Sequence, residues 1–243
     1  MIERMIDIST AEGTMPAFVA HPDQELPAPI VLVMMDGMGF REPLCDVARR
    51  LAANGYYALL PDLYYRAGRG QRVERGQPQV WDRLTRLVLS LTNERMVSDA
   101  HALLAYASTD DAASRDAPAG IMGFCIGGRV AAVLAQALGA RIGAAASIHP
   151  GNLATDEEGS PHRNVDQMRA ELYFAIADQD EWCPPEQVDQ LEQALTICSV
   201  RHQIEWHPGA LHGFCLPDFD DYDQDAAERV WEQTLTLFNR ALR

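Results

Sequence analysis

The chain has 243 residues, of which 47% are hydrophobic, 23% charged and 7% aromatic, a composition that excludes disordered, collagen-like and coiled-coil proteins and leaves enough chain for a sizeable core. A net charge of −15 repels phosphate, so nucleic acid and anionic membranes are poor partners and small molecules better ones. All 20 basic residues are arginine; without lysine the chain has no side-chain amine for a Schiff base, for pyridoxal phosphate or for the phosphate-binding lysines of P-loop proteins and kinases. Five cysteines, an odd number without framework spacing, read as reduced thiols of a cytoplasmic protein. The opening MIERMIDIST lacks an apolar signal-peptide region, and no long apolar run follows.

Short β-rich runs alternate with helical patterns almost from end to end. This is the sequence form of an α/β protein with a mostly parallel sheet, and a single domain over 1–243 is the simplest organisation. Residues 2–9 and 14–20 flank a Glu12-Gly13 turn and predict an opening hairpin, alternating in hydrophobicity and therefore at a sheet edge. Residues 30–35, 56–60, 119–124, 143–148 and 172–177 are continuously apolar and predict buried parallel strands, with 204–206 ending a last one. Helical periodicity covers 44–53, closed by Asn54-Gly55, then 80–91, 94–107, 127–138, 186–195 and 226–242. Polar loops at 66–78 and 151–164 follow strands. In open α/β sheets such loops form the ligand crevice, which makes these two candidate pocket walls.

The strand at 119–124 runs through Gly123-Phe124-Cys125-Ile126-Gly127 directly into a helix. This G-x-C-x-G has the strand–turn–helix context of a nucleophile elbow, in which a strained backbone projects the central side chain into the crevice. A nucleotide-binding turn fits less well, since the G-x-G opening is missing and no acidic residue follows about 20 positions on. A thiol at the start of a helix lies at the positive end of the helix dipole, which favours the attacking thiolate. The amide of Ile126 points where an oxyanion would form, and the loop after the 30–35 strand, Asp36-Gly37-Met38-Gly39, supplies a second amide best at Gly37.

In an α/β-hydrolase the acid and then the histidine follow the nucleophile in the chain. His212 lies in the turn-rich stretch after the last strand; His207 competes less well because it abuts the strand and precedes Pro208. The acid should end the preceding strand, where Asp178 and Asp180 compete. Asp180 is preferred because it lies further past the strand end, in the turn before the Pro184-Pro185 helix start, with Asp178 left to brace that turn.

Phe124-Cys125-Ile126-Gly127-Gly128-Arg129, the turn Leu59-Leu60-Pro61-Asp62-Leu63-Tyr64, Asp180 before Pro184, and His212-Gly213-Phe214 together resemble the dienelactone hydrolase family, in order and over nearly the whole chain. The resemblance implies an α/β-hydrolase fold, with a mostly parallel central sheet and helices on both faces, and a Cys125–His212–Asp180 triad. It also implies two departures. Where the enzyme that gives the family its name holds its resting thiol with a glutamate, this chain has Asp36, and where that enzyme grips the substrate carboxylate with an arginine four residues beyond the histidine, this chain has Leu216. Arg66, Arg72, Arg75 and Arg83 are candidates to replace that cation.

Asp218, Asp220, Asp221, Asp223 and Asp225 approach a calcium-loop spacing, but Ala226 stands where the sharp turn needs glycine, so they read as acids favouring the start of the last helix. The cysteines and histidines show no zinc spacing. Trp81, His149 and Trp182 sit near strand ends or in cap helices, where they could line the pocket. The expectation is a hydrolase that cleaves a small-molecule ester or lactone through a thioester on Cys125. In it His212 shuttles the proton, Asp180 fixes its tautomer, and the Ile126 and Gly37 amides hold the oxyanion; no cofactor is implied. The alternatives are a general carboxylesterase, or a catalytically silent hydrolase fold that binds small molecules or senses oxidants.

Overall fold

A computed structural model describes residues 1–74, 76 and 79–243. Arg75 of the predicted cation set, and Gln77 and Pro78 at the end of the predicted 66–78 loop, lie outside the described residues. The chain forms two compact units, Met1–Ala117 and Pro118–Arg243.

In the first unit the Glu12-Gly13 turn closes an antiparallel hairpin of β1 (Ile2–Thr10) and β2 (Gly13–His21), with Ile2 opposite His21 and Thr10 opposite Gly13. β3 (Ile30–Met34) and β4 (Tyr57–Pro61) pair in parallel, and the strand order of this unit is β1-β2-β4-β3. Only β1 shows the alternating exposure expected of both hairpin strands. β2 is buried from Met15 to His21 because β4 pairs with its other edge and α1 (Glu42–Ala53) packs on its face. α1 carries Leu44, Val47, Ala48 and Leu51 inward, the i, i+3, i+4, i+7 stripe of a helix with one buried face. α2 (Val80–Leu89) buries Leu87 alone, while α3 (Asn93–Ala107) begins where the Thr92 side chain accepts the Arg95 N–H and packs on β1 and β3.

The second unit is parallel throughout, with β5 (Ala119–Phe124), β6 (Ile142–Ile148), β7 (Glu171–Gln179) and β8 (His202–Leu211) side by side in chain order. α4 (Ile126–Ala137) packs on β5 and β6, α5 (Pro185–Ile197) precedes β8, and α6 (Gln224–Ala241) packs on β6 and β7. Asp223 caps α6 by accepting the Ala226 N–H at 3.0 Å, a place consistent with acids favouring the helix start. The last strand extends beyond the expected end at residue 206, through Pro208-Gly209 to Leu211. β8 has a neighbour on one side only, so a proline without an N–H is tolerated there, and the ladder slips register between Ala177 and Gln179.

The junction of β5 and α4 depends on glycine. A Cβ on Gly123 would lie 2.0 Å from the Gly127 carbonyl oxygen and 2.4 Å from its carbon, with backbone on both sides of the contact. Gly123→Ala is therefore expected to destabilise the protein by ~3 kcal/mol or more. Gly139→Ala, at φ +51 with nothing within 4 Å, meets backbone strain alone and should cost about 1 kcal/mol. Denaturant unfolding of both variants checks this, and equal losses would contradict the close approach.

Candidate active site

Cys125 is the residue between β5 and α4, and its backbone adopts φ 54, ψ −119, a conformation a non-glycine residue keeps only when its surroundings enforce it. Those surroundings are specific. The Cys125 N–H donates to the Ile148 carbonyl at 3.0 Å, the Cys125 carbonyl accepts the Gly128 N–H at 2.9 Å, and Ser147 Oγ donates to the Gly128 carbonyl at 2.9 Å. Gly128 leaves little room for a side chain, since a Cβ there would meet Pro150 and Ser147 at 3.1 Å and they would have to give by a few tenths of an ångström. Ile126 opens α4, and the first N–H groups of a helix have no intrahelical acceptor. Of the five thiols, Cys45, Cys183 and Cys215 are buried, Cys198 is exposed and Cys125 is partly exposed. Burial pushes Cys45 and Cys183 up to about 12 and Cys215 well above an ordinary thiol, so these three hold their protons at neutral pH.

His212 follows the last residue of β8 and enters a tight turn. Gly213, at φ +96, lies so close to Phe219 that a Cβ would sit 2.4 Å from the ring. The His212 Nδ1 lies 2.6 Å from Asp180 Oδ2, while Asp180 Oδ1 accepts the Trp182 N–H at 2.9 Å. The Asp180 side chain is 0% exposed and that of His212 20%, so the pair is largely shielded from water. Asp178 does something else: its Oδ1 accepts the Gly209 N–H at 2.8 Å and ties β7 to the proline–glycine stretch of β8. His207 points inward on β8, buried against Phe214 at 4.9 Å between ring centres, and burial pushes its pKa down.

Burial alone would lower the His212 pKa. The negative charge of Cys125 and hydrogen bonds to Asp180 and Cys125 outweigh it, and the imidazole is pushed up to about 10. With Nδ1 given to Asp180, Nε2 is the nitrogen left for Cys125. Cys125, His212 and Asp180 all belong to the second unit, and His212 is hydrogen-bonded to both of the others.

The dienelactone hydrolase family model matches residues 15–242. The chain belongs to the dienelactone hydrolase family. A Synechocystis protein named "Putative carboxymethylenebutenolidase" is 29% identical over 249 residues, covering 98% of this chain and 99% of that one. An Escherichia coli K12 protein of the same name is 30% identical over 238 residues, covering 96% of this chain and 85% of its relative. Among solved structures, a Klebsiella pneumoniae "Putative Dienelactone Hydrolase" superposes with a TM-score of 0.87 at 25% identity, covering 98% of both chains. As a member of this family the chain is a hydrolase with the α/β-hydrolase fold, a mostly parallel sheet with helices.

The remaining predicted site residues of this dienelactone hydrolase family member are placed as follows. Asp36 is 1% exposed and is gripped by Arg41, with Nη1–Oδ1 and Nη2–Oδ2 both 2.7 Å, and Oδ1 also accepts the Met38 N–H at 2.9 Å. Its charge is thus met within its own turn. The Met38 amide is occupied by that carboxylate, whereas Tyr64 Oη donates to the Gly37 carbonyl at 2.9 Å and so fixes the Gly37 turn without using the Gly37 N–H. Arg41 and Tyr64 were not singled out for this role from the sequence. No spacing rule marks them, because both act through a side-chain reach that only the folded loop defines. Trp81 is 67% exposed on α2. His149 is fully buried, packed against His212 rather than facing solvent. Leu216 is fully buried as well.

Arg66 is committed to Asp99 through two bonds of 2.8 Å and to Glu12. Arg72 pairs with Glu74, and Arg83 donates to Gln71 and to the Arg72 carbonyl. The 151–164 loop is tied down around Ser160, whose buried Oγ accepts the Thr155 N–H at 2.9 Å, and Arg129 reaches it from α4 at the Gly159 carbonyl and Glu157. Among the described residues no group of three or more His, Cys, Asp or Glu side chains is arranged to hold a metal ion, and no helix is long and apolar enough to cross a membrane.

The pH behaviour of His212 has a definite sign. Cys125 contributes a negative charge and a hydrogen bond that both raise the His212 pKa, so removing the thiol must lower it. An NMR titration is expected to show the His212 imidazole protonated through neutral pH toward about 10 in the wild type and losing its proton at distinctly lower pH in Cys125→Ala. An unchanged value in that variant would show that Cys125 and His212 do not interact.

Proposed function

We propose that the protein hydrolyses neutral carboxylic esters or lactones through an acyl-thioester on Cys125. The reading is carried by one observation, the line from Cys125 at its strained elbow through His212 to the buried Asp180, whose last link is 2.6 Å long. With His212 protonated and Cys125 ionised, the sulfur attacks the carbonyl carbon and the carbonyl electron pair moves to oxygen. The Ile126 N–H stabilises that oxyanion. Collapse of the tetrahedral adduct breaks the bond to the alkoxide, which takes the His212 proton.

The thioester that remains is uncharged. His212 then loses the neighbouring negative charge that raised its pKa, which makes neutral imidazole accessible and lets it take a proton from the attacking water. Breakdown of the second adduct releases the acid and returns the thiolate beside the imidazolium. Asp180 stays ionised throughout, holding Nδ1 protonated so that Nε2 is the nitrogen that exchanges protons. This chemistry uses no group beyond the chain and water.

A slow aryl ester should leave an acyl mass on the peptide carrying Cys125 and none on Cys45 or Cys198. Asp180→Asn should reduce turnover by roughly 10³- to 10⁴-fold through the wrong tautomer, with the fold intact. Asp178→Asn, which keeps an acceptor oxygen for the Gly209 N–H, should leave turnover close to wild type. The label on another cysteine, or the reverse ranking of the two aspartates in folded variants, defeats the assignment.

Substrate charge follows from the cations still open to an anion. Leu216 offers none, and of the described candidate arginines Arg66 is bonded to Asp99 and Glu12, Arg72 to Glu74, and Arg83 to Gln71 and the Arg72 carbonyl. A carboxylate entering an apolar crevice without a partner is disfavoured by several kcal/mol, and a net charge of −15 slows its approach. The kcat/KM for neutral esters or lactones is expected to exceed that for the anionic dienelactone. Measurement at two ionic strengths separates the contributions, because salt screens the long-range part alone. Preference for the anion that persists in high salt would mean that a cation does meet the substrate.

A further inference from the structure

His149 is the first residue after β6, and three of its properties are independent of one another. Its backbone lies in the left-handed region at φ +35, which non-glycine residues adopt only where something enforces it. Its side chain is fully buried. Its ring stands 5.3 Å from the His212 ring at 70°, 5.8 Å from Phe124 and 5.7 Å from Phe214.

The backbone that carries this ring is fixed from two sides. The His149 N–H donates to the Ala175 carbonyl of β7 at 2.8 Å, and the carbonyl just before it, on Ile148, accepts the Cys125 N–H at 3.0 Å. The ring thus meets both Phe124, the neighbour of Cys125, and His212 and Phe214 of the turn that follows β8.

We propose that His149 is a positioning residue for the proton relay, a buried aromatic wedge that sets the His212 ring against Cys125. The proposal rests on the assignment of Cys125 and His212 above. A single hydrogen bond from His212 Nδ1 to Asp180 fixes one end of the imidazole but leaves rotation about that bond, and an edge-to-face ring contact removes it. Because His149 is buried, it acts on the alignment of reacting groups and not on substrate affinity, and alignment errors of about 1 Å lower turnover by up to about 100-fold.

The test compares His149→Asn, which tolerates positive φ but lacks the ring, with His149→Phe, which keeps a ring without its nitrogens. Hydrolysis of 4-nitrophenyl acetate is followed together with the pH dependence of Cys125 alkylation by iodoacetamide, read by mass on the Cys125 peptide. His149→Asn is expected to lower kcat by about 10- to 100-fold with KM little changed and to shift the alkylation profile, while His149→Phe keeps the wild-type kcat and profile. If His149→Asn does not fold, His149→Leu, of similar bulk and without a ring, takes its place.

A His149→Asn or His149→Leu variant with reduced thermal stability but wild-type kcat and an unchanged alkylation profile would make His149 a packing residue only and overturn the proposal. So would an effect confined to KM, or equal impairment in His149→Phe. The alkylation profile reads the pairing of Cys125 with His212 whether or not an acyl-enzyme forms, so failure of the thioester assignment and failure of the wedge are separately visible.

Discussion

The contact between Gly123 and Gly127 is the constraint on which the second unit depends. No side chain fits between the last turn of β5 and the first turn of α4, so the helix can begin one residue after the strand ends, and the residue in between is forced to a positive φ. Strain of this kind amounts to about 1–3 kcal/mol, comparable to a few good hydrogen bonds. It persists because Ile148, Gly128 and Ser147 fix the backbone on either side of Cys125. A side chain set on a rigid strand end varies little in position, and its hydrogen bond to His212 needs that, since hydrogen bonds have narrow geometric tolerance.

Electrostatics then follows from burial. A carboxylate with no exposure is strongly disfavoured unless its oxygens are met, and Asp180 is met on one oxygen by the Trp182 N–H and on the other by His212. The dry surroundings that penalise an isolated charge also strengthen the attraction between Asp180 and a protonated His212. A His212 pKa displaced from 6.5 to about 10 corresponds to roughly 5 kcal/mol in favour of the protonated ring. Much of that preference comes from Cys125, so any change that removes negative charge there lowers the His212 pKa.

The legible parts of the fold were those in which one local signal decides. β5 and β6 are buried on both faces and read as unbroken apolar runs, and the elbow shows itself because Gly123 and Gly127 flank Cys125 at fixed spacing between a strand and a helix. β8 was read short because Pro208-Gly209 signals a turn, whereas an edge strand accommodates both residues. β2 was read as an exposed edge because its sequence cannot say that α1 and β4 will cover it. The contact of Asp180 with His212 fits its distance past the strand end, yet the partner of Asp178, the Gly209 N–H, lies in a later strand and left no mark nearby. The grip of Arg41 on Asp36 was illegible for the same reason: it depends on a guanidinium folding back over its own loop.

Charge balance explains why Arg66 and Arg72 are paired with carboxylates. With 35 acidic residues against 20 arginines and no lysine, an exposed guanidinium meets a carboxylate more readily than it waits for a ligand. Arg49 reaches Glu3, Glu42 and Asp46, and Arg66 reaches both Asp99 and Glu12. Burial does not release a guanidinium from this competition either, because a buried one needs a counter-charge more, as Arg41 shows on Asp36. In a chain of this composition a cation kept for a substrate anion would have to be shielded from acids and still open to the crevice. Leu216 avoids that conflict by placing a buried apolar side chain in the turn that follows His212.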